Sequence, residues 1–424
     1  MKILWICNII LPQFSEEYRV KKNVFGGWIS GMLSEIEKYK DVEVGLCFPI
    51  RTTEKMIQGK AHNHRYFSME ASDDIGIYNP KTEEIFEKII EDFKPDIVHI
   101  WGTEYSHSRT AVEVCVKRNL QNRTIIDIQG LVSVYAKHYH SGIEINETQW
   151  CNSLNQSIES ERNNFEIRGV NEIFDIRNVK WVSGRTDWDR ICSKQINPDV
   201  HYFKCHRILR EEYYKQTVFW NVNKIERHTI FVSQGTYSIK GLHFLLRALP
   251  IVKKSYKDVK VYIAGTSPLH ETNGEISPYG HYIRGLISEL DIVENVDFIG
   301  QITVDEMIKY YLRVNVSVSP SNVENPSNSI CEAMYIGTPM IASYVGGCNE
   351  IINHGKDGLF YPHDAEYMLA GYICDVFADD ILAQNLSENG KRSARERHNP
   401  SKLGKIMYEN YKTIMAVEKQ TNES

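Results

Sequence analysis

Between Ser319 and Gly358 two glutamates, Glu324 and Glu332, flank a short polar run of Pro326, Ser327, Asn328 and Ser329. That run, ahead of apolar Ile330 to Ile336, predicts a helix start, and Gly337 with Pro339 predicts its stop. A helix start offers unpaired backbone N–H groups and the positive end of a dipole, which suits a phosphate. Glu332, one turn in, is placed to accept hydrogen bonds from ribose hydroxyls. Gly346 and Gly347 follow the next short strand, where a missing Cβ lets the backbone approach a ligand closely. Acidic residues beside helix starts are also ordinary capping choices. The Glu pair alone therefore proves little, and the weight rests on the order in which these residues occur together.

The elements that must position this stretch read as alternating strands and helices. In the second half, strand Thr229–Ser233 leads to a loop through Lys240 and Gly241. Helix Leu242–Lys254, strand Val259–Ala264, helix Tyr282–Leu290, strand Val296–Ile299, helix Val304–Leu312 and strand Val314–Ser319 follow. The first half opens with strand Lys2–Cys7, the pair Gly26 and Gly27, and a helix whose Phe25, Trp28, Ile29, Met32, Leu33 and Ile36 repeat at helical spacing. Val42–Phe48, Asp96–Trp101 and Thr124–Ile128 read as further strands, with helices at Glu83–Phe93 and Thr110–Arg118. Such alternation predicts doubly wound parallel sheets with ligands beyond the carboxyl ends of the strands. From Leu131 to about Arg177 the pattern breaks into a polar, helical insertion of the kind that often contacts substrate.

A chain of 424 residues fits two domains of roughly 200 residues each, divided near Lys215 to Lys224: 1–219 and 220–400, followed by a last helix in 401–424. The net charge of −6, without a block of like charge, argues against nucleic acid as a partner. Nine scattered cysteines without a C-x-x-C pair read as reduced residues of a cytoplasmic protein, not a disulfide frame or zinc site. Arg19, Lys21 and Lys22 are available to an anionic acceptor or a membrane surface, or simply form a solvated loop. Asp187-Trp188-Asp189 carries a D-x-D pattern used elsewhere for metals, but Thr186 ahead of it fits a helix cap, and no essential metal is expected.

The ordered set of Glu324, Pro326, Glu332, Gly337-Thr338-Pro339, Gly346-Gly347, Glu350 and Asp357-Gly358 resembles the sugar-nucleotide-binding segment of retaining glycosyltransferases of glycosyltransferase family 4. The resemblance implies an α/β GT-B fold, two Rossmann-like parallel-sheet domains facing across a cleft, with the acceptor on the first and the nucleotide sugar on the second. It implies that the final helix returns to the first domain and that no cofactor is needed. Lys240, with Gly241, matches the lysine that binds the diphosphate, and Glu324 with the following amides would hold sugar and phosphate. Glu332, Ser327, Asn328, Ser329, Gly346 and Gly347 would complete the donor side, with Gly26 and Gly27 approaching from the first domain.

Three positions depart from the family pattern. Ser233-Gln234-Gly235 stands where an arginine is usual, leaving Arg247 or Arg284 as substitutes. Asn325-Pro326-Ser327 replaces Gly-Phe-Gly. Gln129 stands near the usual histidine, so His99, His107, His138 and His140 are bases by type only; Gln129, His138 and His140 are the acceptor-side candidates. GRTDWDR resembles bacterial polysaccharide transferases. The implied activity moves a sugar from a nucleotide-diphosphate donor to a glycan or lipid-linked glycan acceptor in surface polysaccharide synthesis, with room for peripheral contact at the inner membrane face. The alternatives are a non-catalytic nucleotide-sugar-binding protein, or a sugar phosphorylase or epimerase on the same fold.

Overall fold

The computed structural model describes the chain except residues 21–25, 51–55, 71–75, 273 and 424; Lys21, Lys22 and Phe25 therefore lie outside the described residues. Compactness divides the chain into two units. One comprises Met1–Val134, Asn164–Arg210 and His398–Ser424. The other comprises Tyr135–Asn163 and Glu211–Arg397.

The first unit is built on strands β1 (Lys2–Ile6), β2 (Glu43–Ile50), β3 (Gln58–Ala61), β4 (His64–Glu70), β5 (Ile97–Trp101), β6 (Thr124–Asp127), β7 (Trp181–Gly184) and β8 (His201–Lys204). They form one sheet in the order β3-β4-β2-β1-β5-β6-β7-β8, parallel except for the β3–β4 hairpin. Strand β5 is buried along its whole length, as a continuous apolar strand covered on both faces must be. The helix Gly27–Ile36 follows β1, and the last helix, Pro400–Glu423, buries Leu403, Met407, Tyr411 and Ile414 in this unit. Their spacing of four, four and three residues is one face of an α-helix.

The second unit carries β9 (Thr229–Val232), β10 (Lys260–Ala264), a small hairpin of β11 (Glu271–Thr272) and β12 (Glu275–Ile276), then β13 (Val296–Gly300), β14 (Val316–Ser319), β15 (Met340–Ser343) and β16 (Leu359–Tyr361). Six of these make a parallel sheet ordered β13-β10-β9-β14-β15-β16. Counting only those six along the chain, the order is 3-2-1-4-5-6, so the winding reverses between β9 and β14. The carboxyl ends of those two strands are where an open α/β sheet leaves room for a ligand.

Two features of the division differ from the expected 219/220 boundary. Residues 211–219 group with the second unit, where the Tyr213 hydroxyl donates to Glu332 at 2.9 Å. The polar insertion is shared: its long helix, Ile158–Arg177, joins the first unit from Asn164 onward, while Tyr135–Asn163 lies with the second.

Candidate functional site

Lys240 ends the short turn Ser238–Lys240 after β9, and Glu324 follows β14, so both stand at the reversal point of the second sheet. Lys240 Nζ lies 2.9 Å from Glu324 Oε2, and Ser321 Oγ donates to the same oxygen at 3.2 Å. Glu324 is buried and the Lys240 side chain is 15% exposed. Burial works against the ammonium, but Glu324 and Tyr237 outweigh it and hold the Lys240 pKa above its ordinary value. Beside the pair opens a small cleft lined by Ser233, Gln234, Lys240, Ser321, Ser327 and Ser329 among others. A cation and several hydroxyls around one opening form a site for an anionic, oxygen-rich group.

The helix Asn328–Ile336 begins at this cleft. Ser327 caps it by accepting from Ser329 N, and Gly337 ends it at φ +93°. Glu332, one turn in as predicted, is buried and accepts from the Tyr213 hydroxyl at 2.9 Å. Two glycines hold the pair in register. Gly241 has φ +65°, and a Cβ there would fall 1.9 Å from the Pro320 carbonyl oxygen. Gly346 has φ +51°, with its hypothetical Cβ 2.1 Å from the Glu324 carbonyl oxygen, and Gly347 N donates to that same oxygen at 3.0 Å. The close approach permitted at Gly346 is thus to the backbone of Glu324, which it supports from behind.

In the first unit, Gly26 is the αL residue ahead of the helix Gly27–Ile36. Gln129 follows β6 and is tied down: Asn8 Nδ2 donates to its Oε1 and its own Nε2 donates to the Trp101 carbonyl, both at 3.2 Å. The acceptor-side candidates separate here. His138 and His140 stand on the unit that holds Lys240, because Tyr135–Asn163 packs there. Burial lowers the His138 pKa, with His363 adding to the effect, and His140 Nε2 lies 3.1 Å from Glu159.

His99 is buried and His107 half-buried, and desolvation lowers the pKa of both, that of His107 to about 3. His99 Nδ1 is 2.6 Å from the Tyr411 hydroxyl and its ring stacks on Trp101, a packing role. Neither substitute arginine lines the cleft. Arg247 donates to the Gly142 carbonyl (2.8 Å) and the Tyr282 hydroxyl (2.6 Å), and Arg284 is exposed. Asp189 completes a capping box with Thr186, and Asp187 pairs with Arg190 at 2.6 Å, so the D-x-D acids serve a helix start.

Sequence reasoning missed Ser321, Tyr213 and the buried Asp127–Arg207 ion pair of the first unit. Ser321, two residues past the end of β14, was findable from its place at a strand's carboxyl end. The others are contacts between residues far apart in the chain, for which no local signal exists.

Residues 215–393 match the family model described as Glycosyl transferases group 1. The stretch includes Lys240, Glu324 and Glu332. Among curated proteins, an uncharacterized glycosyltransferase of Methanocaldococcus jannaschii is 29% identical over 191 residues, 45% of this chain and 46% of that protein. A GDP-mannose-dependent alpha-(1-6)-phosphatidylinositol monomannoside mannosyltransferase of Mycobacterium tuberculosis is 25% identical over 39% of this chain and 42% of its own length. The matched stretch thus spans less than half of these relatives. Among solved structures, sucrose-phosphate synthase from Thermosynechococcus elongatus superposes with a TM-score of 0.69 at 17% identity, covering 98% of this chain and all of that one. An Anabaena protein, HepE, in complex with UDP and glucose gives 0.63 at 15% identity over 97% and 99%. With two parallel-sheet α/β units and these neighbours, the fold is GT-B.

Proposed function

We propose that this protein is a glycosyltransferase that takes a sugar from a nucleotide-diphosphate donor bound to the second unit. The observation that carries the reading is the Lys240–Glu324 pair at the β9/β14 reversal point, beside the start of the helix Asn328–Ile336. As the bond from the anomeric carbon to the diphosphate breaks, negative charge grows on the leaving oxygens and positive charge on the sugar. Lys240 and the N–H groups at the helix start stabilise the first, and Glu324, released from Lys240 by the phosphate, faces the second. Glu332 accepts from the ribose hydroxyls, with Tyr213 fixing its carboxylate. Ser327, Asn328, Ser329 and Gly241 line the phosphate end, and Gly26 and Gly27 with Gln129 belong to the acceptor-binding unit.

Retention of anomeric configuration, a glycan or lipid-linked glycan acceptor, and a place in surface polysaccharide synthesis enter the proposal from the resemblance of the Glu324-to-Gly358 segment. Independence of metal is part of the same proposal, and the engagement of Asp187 and Asp189 at a helix start supports it. Among the described residues no helix is long and apolar enough to cross a membrane, so contact with a lipid-linked acceptor is proposed as peripheral.

The test is turnover of a panel of UDP-, GDP- and ADP-sugars with glycan acceptors, with and without chelator, the anomer of the product being read by NMR. Absence of any transfer and of slow donor hydrolysis would overturn catalysis, and an inverted product would overturn retention. A non-catalytic nucleotide-sugar-binding protein is the second reading, favoured by the locked Gln129. It predicts tight donor binding with no turnover by the wild type.

A further inference from the structure

After Val134 the chain lays Tyr135 to Gly142 along the second unit, mostly as hydrogen-bond acceptors. The Asn322 side chain donates to the His138 carbonyl (3.2 Å), Ser238 Oγ to the Tyr139 carbonyl (2.7 Å), and Arg247 to the Gly142 carbonyl (2.8 Å). His243 Nε2 lies 2.9 Å from the Ser141 carbonyl. Ser238 begins the turn that ends in Lys240, and Asn322 precedes Glu324 by two residues, so this strap grips both halves of the pair. Asn322 also donates to the Ser238 carbonyl at 3.2 Å, joining them directly.

The contact that bears on chemistry is at Asn325, immediately after Glu324. Its backbone N–H donates to the Tyr135 hydroxyl at 2.8 Å, from 190 residues earlier in the chain. Asn325 is 1% exposed, and a buried N–H needs a partner. Pro326 follows with no N–H of its own and restricts the residue before it to extended backbone. The phenol therefore holds the first amide of Asn325-Pro326-Ser327, the run that leads from Glu324 to the helix cap and whose Ser327 lines the cleft beside the Lys240–Glu324 pair.

We infer that Tyr135 is a positioning residue that sets donor-sugar discrimination, by fixing the Asn325-Pro326-Ser327 loop through the Asn325 amide. This rests on the donor-site reading above. It gives a reason for the polar insertion: a segment lying in sequence between two strands of the first sheet braces the loop that leads to the helix cap on the second.

The test uses the full chain, wild type and Tyr135→Phe, which keeps the ring and removes only the hydroxyl. Probes are UDP, GDP and the same-nucleotide pairs UDP-glucose/UDP-galactose and GDP-mannose/GDP-glucose. Tyr135→Phe should bind the bare diphosphate within about twofold of wild type, while the ratio of kcat/KM between the paired sugars, or of Kd where transfer is absent, falls roughly five- to tenfold. Amide hydrogen exchange at Asn325 should accelerate in the variant, a readout that reports the same contact independently of any sugar. An unchanged ratio with unchanged exchange overturns the inference, as does an equal loss of affinity for bare diphosphate and sugar. A wild type that binds no nucleotide sugar overturns the donor-site reading and this inference together. An active wild type whose discrimination survives Tyr135→Phe overturns this inference alone.

Discussion

Lys240 and Glu324 satisfy each other's charge, so removing either partner strands the other. Glu324→Ala leaves an ammonium with little solvent to turn to. Breaking a fully buried pair costs about 3–5 kcal/mol, and the 15% exposure of Lys240 discounts this to roughly 1–3 kcal/mol. The urea midpoint of Glu324→Ala should fall accordingly, and the double change Glu324→Ala/Lys240→Met should recover part of the loss by removing the stranded charge. Turnover should fall as well: Lys240→Met should cost on the order of 10²–10³ in kcat, the scale of a lost transition-state charge contact. A Lys240→Met enzyme with near-native kcat would remove the lysine from the mechanism. The glycines carry a third expectation at this scale. Gly346→Ala places a methyl against the Glu324 carbonyl oxygen at a φ that disfavours side chains, so it should destabilise by roughly 1–3 kcal/mol and lower donor affinity together.

The polar insertion was legible as an interruption of strand–helix alternation, but not as part of the second unit. Strands betray themselves by apolar runs such as Ile97–Trp101, whose burial is continuous. The strap holds on instead through carbonyls of His138, Tyr139, Ser141 and Gly142, and backbone acceptors are the same at every residue type. The local structure of the Glu324-to-Gly358 segment was legible for the converse reason: Ser327, Gly337 and Gly346 are demanded by a cap, a helix stop and a close backbone approach, each of which restricts residue type. Glu161 anchors the strap by accepting from the Tyr139 hydroxyl at 3.0 Å. Burial raises its pKa from 4.5 to about 7, the Tyr139 hydrogen bond opposing the shift. The folded state therefore holds a proton that the unfolded chain has released between about pH 4.5 and about 7, and stability contributed by Glu161 falls as pH rises through that window. Glu172, buried and also raised to about 7, adds a descent of the same sign. The readout is thus the difference: Glu161→Gln should flatten the thermal midpoint against pH over that range relative to wild type. Parallel curves would show that Glu161 does not titrate there.

At the scale of the molecule, the two sheets assign different duties to chain segments that sequence order interleaves. The second sheet's β9/β14 reversal gathers Lys240 and Glu324. The first unit is completed by the very end of the chain, where Tyr411 sits fully buried with His99 Nδ1 2.6 Å away and Trp5 Nε1 donating to its hydroxyl at 3.1 Å. Tyr411→Phe leaves the Trp5 N–H buried without an acceptor, which costs about 1–3 kcal/mol. Removing everything after His398 also strips Leu403, Met407 and Ile414 from the first unit's core, at about 1.5–3 kcal/mol for each buried apolar side chain. That loss is comparable with the whole stability of a typical domain, so the truncated chain should keep its first unit unfolded. A donor nucleotide stabilises only what binds it. In a calorimetric scan of Tyr411→Phe with UDP or GDP present, the ligand should therefore raise the second unit's transition as it does in wild type, while the first unit's transition stays lowered. If nucleotide restores the Tyr411→Phe transition to the wild-type temperature, the two units unfold as one and the assignment of donor binding to the second alone is lost.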